Sequence, residues 1–434
     1  MPKLIIQEDY KVTGEFVIPP GESLVGRCVE AALPLNHNGV SRQHCRLHRD
    51  GDVVTIEDLN SRNGTFVNAH PVYAPTKLNH LDQIQIDEVL LIFDADDLSD
   101  ADNTDLRSGF EQVSSQLDFV RNTVNKIEAN MARVIQGKDD VIRKVLIALL
   151  SDGHVLLEDV PGVGKTKLAQ ALARSINTDF KRIQFTPDML PSDVTGISIY
   201  DESQRRFVFM PGPVFTNLVL ADEINRGTPR VQSSLLECMA ESMITVDGNQ
   251  HVLRKPFFVI ATQNPIDFHG TYPLPEAQLD RFLMRLNMGY PLPNIEMDIL
   301  QTQAAVNPLN LISHVAEGSD IIHCQSLIRS VHVSELVRDY IVTLITETRQ
   351  HPAFSYGCSP RASLALMRAS QALAAVNGRD HVLPRDVRDL APSVLAHRMP
   401  LKLQARSEWP SSVSVIEAIL AQLPMEKWEK DVTS

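Results

Sequence analysis

The residues best suited to chemistry lie in one short stretch. Val155-Leu156-Leu157-Glu158 is an apolar run of strand type, followed by Asp159-Val160-Pro161-Gly162-Val163-Gly164-Lys165-Thr166. Leu168, Ala169, Ala171 and Leu172 then follow at helical spacing. Strand, glycine loop, Lys-Thr and helix form an arrangement that cradles phosphates. The N–H groups of the loop Pro161-Gly162-Val163-Gly164 and the helix N-terminus attract anionic oxygens. Lys165 reaches the terminal phosphates and Thr166 offers a hydroxyl to Mg²⁺. Asp159 stands where the pattern usually has its first glycine, a position that turns the backbone, and Asp is itself a turn former.

Two further apolar runs end in polar groups of the right kind. Leu218-Val219-Leu220-Ala221 leads into Asp222-Glu223. A carboxylate at such a strand end can hold Mg²⁺ through water, and its neighbour can polarise an attacking water as a general base. Phe257-Phe258-Val259-Ile260-Ala261-Thr262 is followed by Gln263-Asn264-Pro265, which puts the Asn264 amide where it can orient that water. On its own Asn264 reads first as a turn residue, and its place after the other two strands is what favours the water-orienting amide.

These groups need a scaffold, and the chain's periodicity supplies one. The first ninety-odd residues are short apolar or alternating runs: Leu4–Gln7, Glu15–Ile18, Leu24–Gly26, Cys45–His48, Val53–Glu57, Thr65–Val67 and Gln83–Phe93. Frequent turn signals separate them, so residues 1–95 predict an antiparallel sandwich. An Asp-rich segment with nothing fit for a core makes 96–109 a linker. Helical spacing of Phe110, Val113, Leu117, Val120, Val124, Ile127 and Met131 marks a connecting helix over 110–133. Strands and helices alternate over 134–290, the pattern of an α/β core with a mostly parallel sheet. Helices dominate 291–400, a connector and helical lid, and 401–434 reads as a tail. Two hairpins interrupt the core, Ile197–Tyr200 with Arg206–Phe209 and Met243–Val246 with Gln250–Leu253.

Composition limits the function. The 41 Lys and Arg against 54 Asp and Glu give a net charge of −13, which disfavours a protein devoted to holding nucleic acid. Residues 94–105 alone hold six Asp and no basic residue, so close to half of that charge belongs to the tether. No apolar stretch is long enough to span a membrane, and the first residues lack a signal-peptide pattern. Five scattered cysteines, none in a C-x-x-C pair, predict reduced thiols rather than a disulfide framework, and a cytoplasmic location.

The motifs of residues 134–400 resemble the MoxR family of AAA+ ATPases. The resemblance rests on Leu157–Thr166, Ala221-Asp222-Glu223-Ile224-Asn225-Arg226, Ala261-Thr262-Gln263-Asn264-Pro265 and Leu274–Phe282. It implies Lys165 and Thr166 as Walker A, Asp222 and Glu223 as Walker B, and Asn264 as sensor 1. Arg281 matches the arginine finger and Arg361, in Ser359-Pro360-Arg361-Ala362, matches sensor 2 in the lid. A cation in the first turn of a helix opposes the helix dipole, and a nucleotide phosphate would explain it. The resemblance further implies ATP and Mg²⁺ as cofactors and a ring, expected to be a hexamer, with Arg281 reaching the neighbour's nucleotide. It also implies a partner bearing a von Willebrand factor A domain, and hairpins that face the ring axis.

The amino-terminal region resembles the forkhead-associated (FHA) domain. Gly26-Arg27, Ser41-Arg42-Gln43-His44 and Asp58–Asn68 occur in that order. A phosphothreonine carries a charge of about −1.5 to −2 and three acceptor oxygens. Arg27 and Arg42 can neutralise it, Ser41 can donate a hydroxyl and Asn63 can hold the ligand backbone, while His44 reads as a brace. The expectation is an ATP-hydrolysing motor that remodels or activates a client protein and is recruited or regulated through phosphothreonine recognition. Its rivals are a nucleic-acid-dependent motor and a signalling scaffold that binds ATP without turnover.

Overall fold

The structure is a computed structural model. It describes residues 2–8, 11–28, 31–35, 37, 39–51, 53–59, 61–67, 70–72, 74–78, 82–86, 89–94, 105–203, 205–264, 271–303, 307–424 and 428. Most of the acidic linker and Pro265 lie outside these residues. The chain divides into two compact units, Met1–Ser108 and Gly109–Ser434.

The first unit is a β-sandwich. One sheet orders its strands Lys11–Val17, Lys3–Glu8, Val89–Asp94, Gln83–Ile86, Thr65–Val67 and His70–Pro71. The other orders Leu33–Pro34, Gly21–Gly26, Cys45–Asp50, Val53–Asp58 and Thr76–Lys77. Alternate residues of both sheets face one core: Cys45 and Leu47, Val54 and Ile56, Ile84 and Ile86, Leu91 and Phe93 are all buried. The run Gln83–Phe93, expected to be a single strand, is two antiparallel strands that pair Ile86 with Val89. The acidic pair Asp87-Glu88 interrupts the apolar run there.

The second unit is built on five parallel strands: β1 (Val155–Glu158), β2 (Phe180–Gln184), β3 (Leu218–Asp222), β4 (Phe258–Gln263) and β5 (Met284–Leu286). Their order is β2-β3-β4-β1-β5. Successive residues of the central strands enter different apolar clusters. Leu157, Leu220 and Ile260 join one, while Leu156, Val219, Ala221 and Val259 join the other. Helices cover both faces, which is why these strands are apolar throughout instead of alternating. The helix Asp105–Ala132 buries Leu117, Val120, Val124, Ile127 and Met131 along one side. Asn130 fastens that helix by donating to Ser175 Oγ (2.9 Å) and Ser313 O (2.8 Å).

Both hairpins form, as Gly196–Asp201 with Arg206–Pro211 and as Met243–Val246 with Asn249–Val252. The second turns through Asp247 and Gly248, both at positive φ, the two-residue geometry that matches strand twist.

The lid consists of the helices Glu335–Gln350, Pro360–Val376, Pro384–Leu395 and Ser412–Gln422. The last of these lies in the stretch read as a tail. Its Val415, Ile416, Ile419 and Leu420 are buried, and Trp428 beyond it donates to Asp339 (3.0 Å). An apolar face at helical spacing, capped by Ser411, makes this segment part of the lid core. No described helix is long and apolar enough to cross a membrane. All five cysteines are free, and burial pushes the thiols of Cys45, Cys238 and Cys324 up to about 12, which makes them poor nucleophiles.

Candidate functional site

The glycine loop leaves β1 beside β4, where the Asp159 N–H donates to Gln263 O (3.1 Å). Gly162 (φ 89°) and Gly164 (φ 98°) hold left-handed conformations that a side chain would strain. Gly164 caps the helix Lys165–Ser175, whose free N–H groups therefore face the loop. Asp159 does not have a positive φ, so it needs no glycine. Its buried carboxylate accepts the N–H of Val160 (2.8 Å) and that of Gly289 (2.6 Å), just beyond β5. Asp159 thus replaces a glycine with a tie between the loop and the segment leading to the lid.

Lys165 is 8% exposed, and its ammonium donates to Asp159 O (2.8 Å) and Asn264 Oδ1 (3.0 Å). Burial lowers its pKa, against the opposing pull of Asp159, Asp222 and Glu223. β3 delivers Asp222 to the same place. Thr262, from β4, donates to Asp222 Oδ1 (2.6 Å), and its own hydroxyl oxygen accepts the N–H of Glu223 (2.8 Å). Glu223 sits at φ 55°, a left-handed turn that directs the chain away from the sheet immediately after Asp222. One oxygen of Glu223 pairs with Arg226 (3.0 Å), and the other lies 3.4 Å from Asn264 Nδ2.

These residues share a cleft of about 670 Å³. Residues 161–167, Asp222, Glu223 and Asn264 form its polar floor, and Ile135, Tyr290 and Leu300 supply apolar wall. Every residue expected at the cis phosphate site is present there. Sequence reasoning missed Arg182, which also lines the cleft and donates through Nε (3.0 Å) and Nη2 (2.6 Å) to Asp222 Oδ2. A cation two residues before the end of a core strand was the available signal.

Neither Arg281 nor Arg361 lines the cleft. Arg281 donates to Leu236 O, and Arg361 lies 3.6 Å from the carboxylate of Asp280. The ion-pair partner of Arg361 in this structure is Asp280. Arg281 directly follows Asp280 and Arg361 faces its carboxylate, so both adjoin one residue.

In the first unit the signature residues converge on one set of loops. The Arg27 N–H donates to Ser41 O (2.9 Å), and Ser41 Oγ accepts the Arg62 N–H (3.0 Å), which leaves the hydroxyl proton to be donated outward. Asn63 donates to Gly39 O (3.1 Å), and Arg42 is exposed with no ion pair among the described residues. His44 is the brace: buried, it accepts the Ser41 N–H through Nδ1 (3.1 Å) and reaches Gly64 O through Nε2 (3.1 Å). A Cβ on Gly26 would lie 2.4 Å from Arg42 O, so only glycine lets this strand approach the loop. Burial pushes the Asp58 carboxyl up, but hydrogen bonds from Ser61 and Thr65 outweigh it and hold the pKa below its ordinary value.

Three family models match the chain: the ATPase family associated with various cellular activities (AAA) over residues 154–284, the AAA lid domain over 346–419, and the FHA domain over 24–87. The uncharacterised protein YeaC of Bacillus subtilis is 49% identical over 70% of this chain and 96% of its own length. Chaperone MoxR1 of Mycobacterium tuberculosis is 40% identical over 69% of this chain and 81% of its own. A crystal structure of a candidate ATPase from Cytophaga hutchinsonii superposes with a TM-score of 0.68 at 37% identity, covering 74% of this chain and 98% of that one. Glycine loop, strand-end carboxylates, helical lid and these likenesses agree: the chain belongs to the MoxR family of AAA+ ATPases and carries an FHA domain ahead of its ATPase core.

Proposed function

We propose that the protein hydrolyses ATP as a ring, expected to be a hexamer, and uses the turnover to remodel or activate a client recruited through a phosphothreonine. The observation that carries this reading is the convergence of Lys165, Asp222, Glu223 and Asn264 on one cleft floor. In it Lys165 exchanges its two protein acceptors for β- and γ-phosphate oxygens. Asn264, released from Lys165, orients the attacking water, and Glu223 accepts that water's proton. The hydroxyl of Thr166 and the carboxylate of Asp222 are hard oxygen donors that suit Mg²⁺. Among the described residues no three acidic, His or Cys groups cluster as a metal cage, which fits an ion held largely by phosphate and water. When bound, Mg²⁺ neutralises phosphate charge.

Arg281 and Arg361, both outside their own cleft, suit a neighbour's nucleotide. A finger supplied in this way contributes about 10³–10⁵ to turnover. In the FHA domain Arg27 and Arg42 neutralise the phosphate, Ser41 donates to it and Asn63 holds the peptide backbone. The name of the mycobacterial relative supports a chaperone role, a von Willebrand factor A domain is the expected partner class, and unpaired cysteines suit the cytoplasm. The test is steady-state ATP hydrolysis against protein concentration. The rate per subunit should rise with assembly, and Glu223→Gln should bind ATP while losing at least about 10² in rate. A rate independent of concentration in a strictly monomeric sample overturns the ring, and unchanged turnover in Glu223→Gln overturns the hydrolytic role.

A further inference from the structure

The carboxylate of Asp222 already accepts three hydrogen bonds from protein. Oδ1 accepts the Thr262 hydroxyl at 2.6 Å, and Oδ2 accepts two N–H groups of Arg182, at 3.0 and 2.6 Å. Arg182 comes from β2, next to β3, where Gln184 is the residue paired with Asp222. Residues 182 and 184 share a face, so the arginine crosses diagonally to the carboxylate. A guanidinium is charged at every accessible pH. The group expected to help hold Mg²⁺ is therefore paired with a permanent cation.

The pair is built to open. The Arg182 side chain is 48% exposed, and its other partner among the described residues is Gln184 Oε1 at 2.6 Å. It borders the cleft that holds Lys165, so a triphosphate entering there offers it a denser anion than a single carboxylate.

We infer that Arg182 is a positioning residue that occupies the metal-binding face of Asp222 until a nucleotide draws it onto phosphate. Divalent ion and arginine repel one another across a few ångströms, so the free site takes up metal poorly. Arrival of a nucleotide moves the arginine and supplies phosphate oxygens at the same moment. Metal binding is thereby made conditional on nucleotide binding. This rests on the nucleotide reading of the cleft.

The test uses the full chain and Mn²⁺ alone as probe, with free ion followed by electron paramagnetic resonance. Without nucleotide the parent and Arg182→Lys, which keeps a cation, should bind Mn²⁺ weakly, and Arg182→Gln at least about tenfold tighter. Adding ADP should tighten Mn²⁺ binding by the parent far more than by Arg182→Gln. Equal affinity of the parent and a normally melting Arg182→Gln for Mn²⁺ without nucleotide overturns the inference. Failure of the parent to bind fluorescent ADP overturns the nucleotide reading, and the inference with it.

Discussion

Arg398, just after the lid helix Pro384–Leu395, donates to both the carboxylate and the carbonyl of Asp280, the residue directly before Arg281. Its remaining N–H groups reach Phe282 O (2.8 Å) and Val394 O (2.8 Å), and it is 6% exposed. Burial lowers its pKa despite the carboxylate beside it, the mark of a cation retained inside by its partners. The position of the lid and that of the proposed finger are joined through this contact. Arg398→Ala removes the donor to the Asp280 carboxylate and carbonyl and one donor each to Phe282 O and Val394 O, and should cost about 3–5 kcal/mol of stability. Denaturant unfolding of the full chain measures it, and a loss under 1 kcal/mol would show the contact to be incidental.

Lys165 should trade stability for binding. Its folded-state pKa is lowered, so the unfolded chain holds the proton more tightly and the charged lysine destabilises the fold at neutral pH. That penalty is relieved as pH rises toward the unfolded value of about 10.4. Lys165→Met should therefore melt at or above the parent without nucleotide and gain nothing from ADP. Thermal melts with and without ADP decide this, and parental stabilisation of the variant by ADP would contradict it.

Buried histidines make acid the weak side of the ATPase unit. His154 accepts the Val259 N–H through Nδ1 and reaches Met239 O through Nε2, and burial pulls its pKa down to about 4. The unfolded chain binds that proton first, so stability is lost as pH falls from about 6.5 toward 4, by about 3 kcal/mol for this residue. His397, also buried, is lowered in the same direction. Urea unfolding at pH 7 and pH 5 should show the loss, and a flat profile would refute it.

For the FHA loops, Arg27→Ala and Arg42→Ala should each weaken a phosphothreonine peptide by about 1.5–3 kcal/mol without changing the melting temperature. Gly26→Ala should weaken the peptide indirectly, because its new Cβ displaces the loop that carries Arg42. Fluorescence anisotropy separates the cases. Equal affinity for phosphorylated and plain peptides in the parent would remove the assignment.

What was legible in the sequence is what a local pattern can carry. Continuous apolar runs revealed the buried parallel strands, because a strand covered on both faces has no polar side to show. The glycine loop, Asp222-Glu223 and Asn264 stand at strand ends, and a sheet with parallel strands gathers all such ends on one edge. Their meeting in a cleft followed from that topology. The helix Ser412–Gln422 was missed because it buries its face against other lid helices, and only the partner distinguishes such a segment from a tail.

The tertiary structure decided the pairings of charge. Arg182 meets Asp222 across 40 residues, Asp159 meets Gly289 across 130, and Arg398 meets Asp280 across 118. Arg361 was decided the same way: its residue type suits a phosphate, and the fold sets it beside Asp280. A charged residue's type states what it can bind, and its spacing along a strand or helix states which way it points. Which opposite charge it finds depends on elements far apart in the chain, brought together by the burial of their apolar faces.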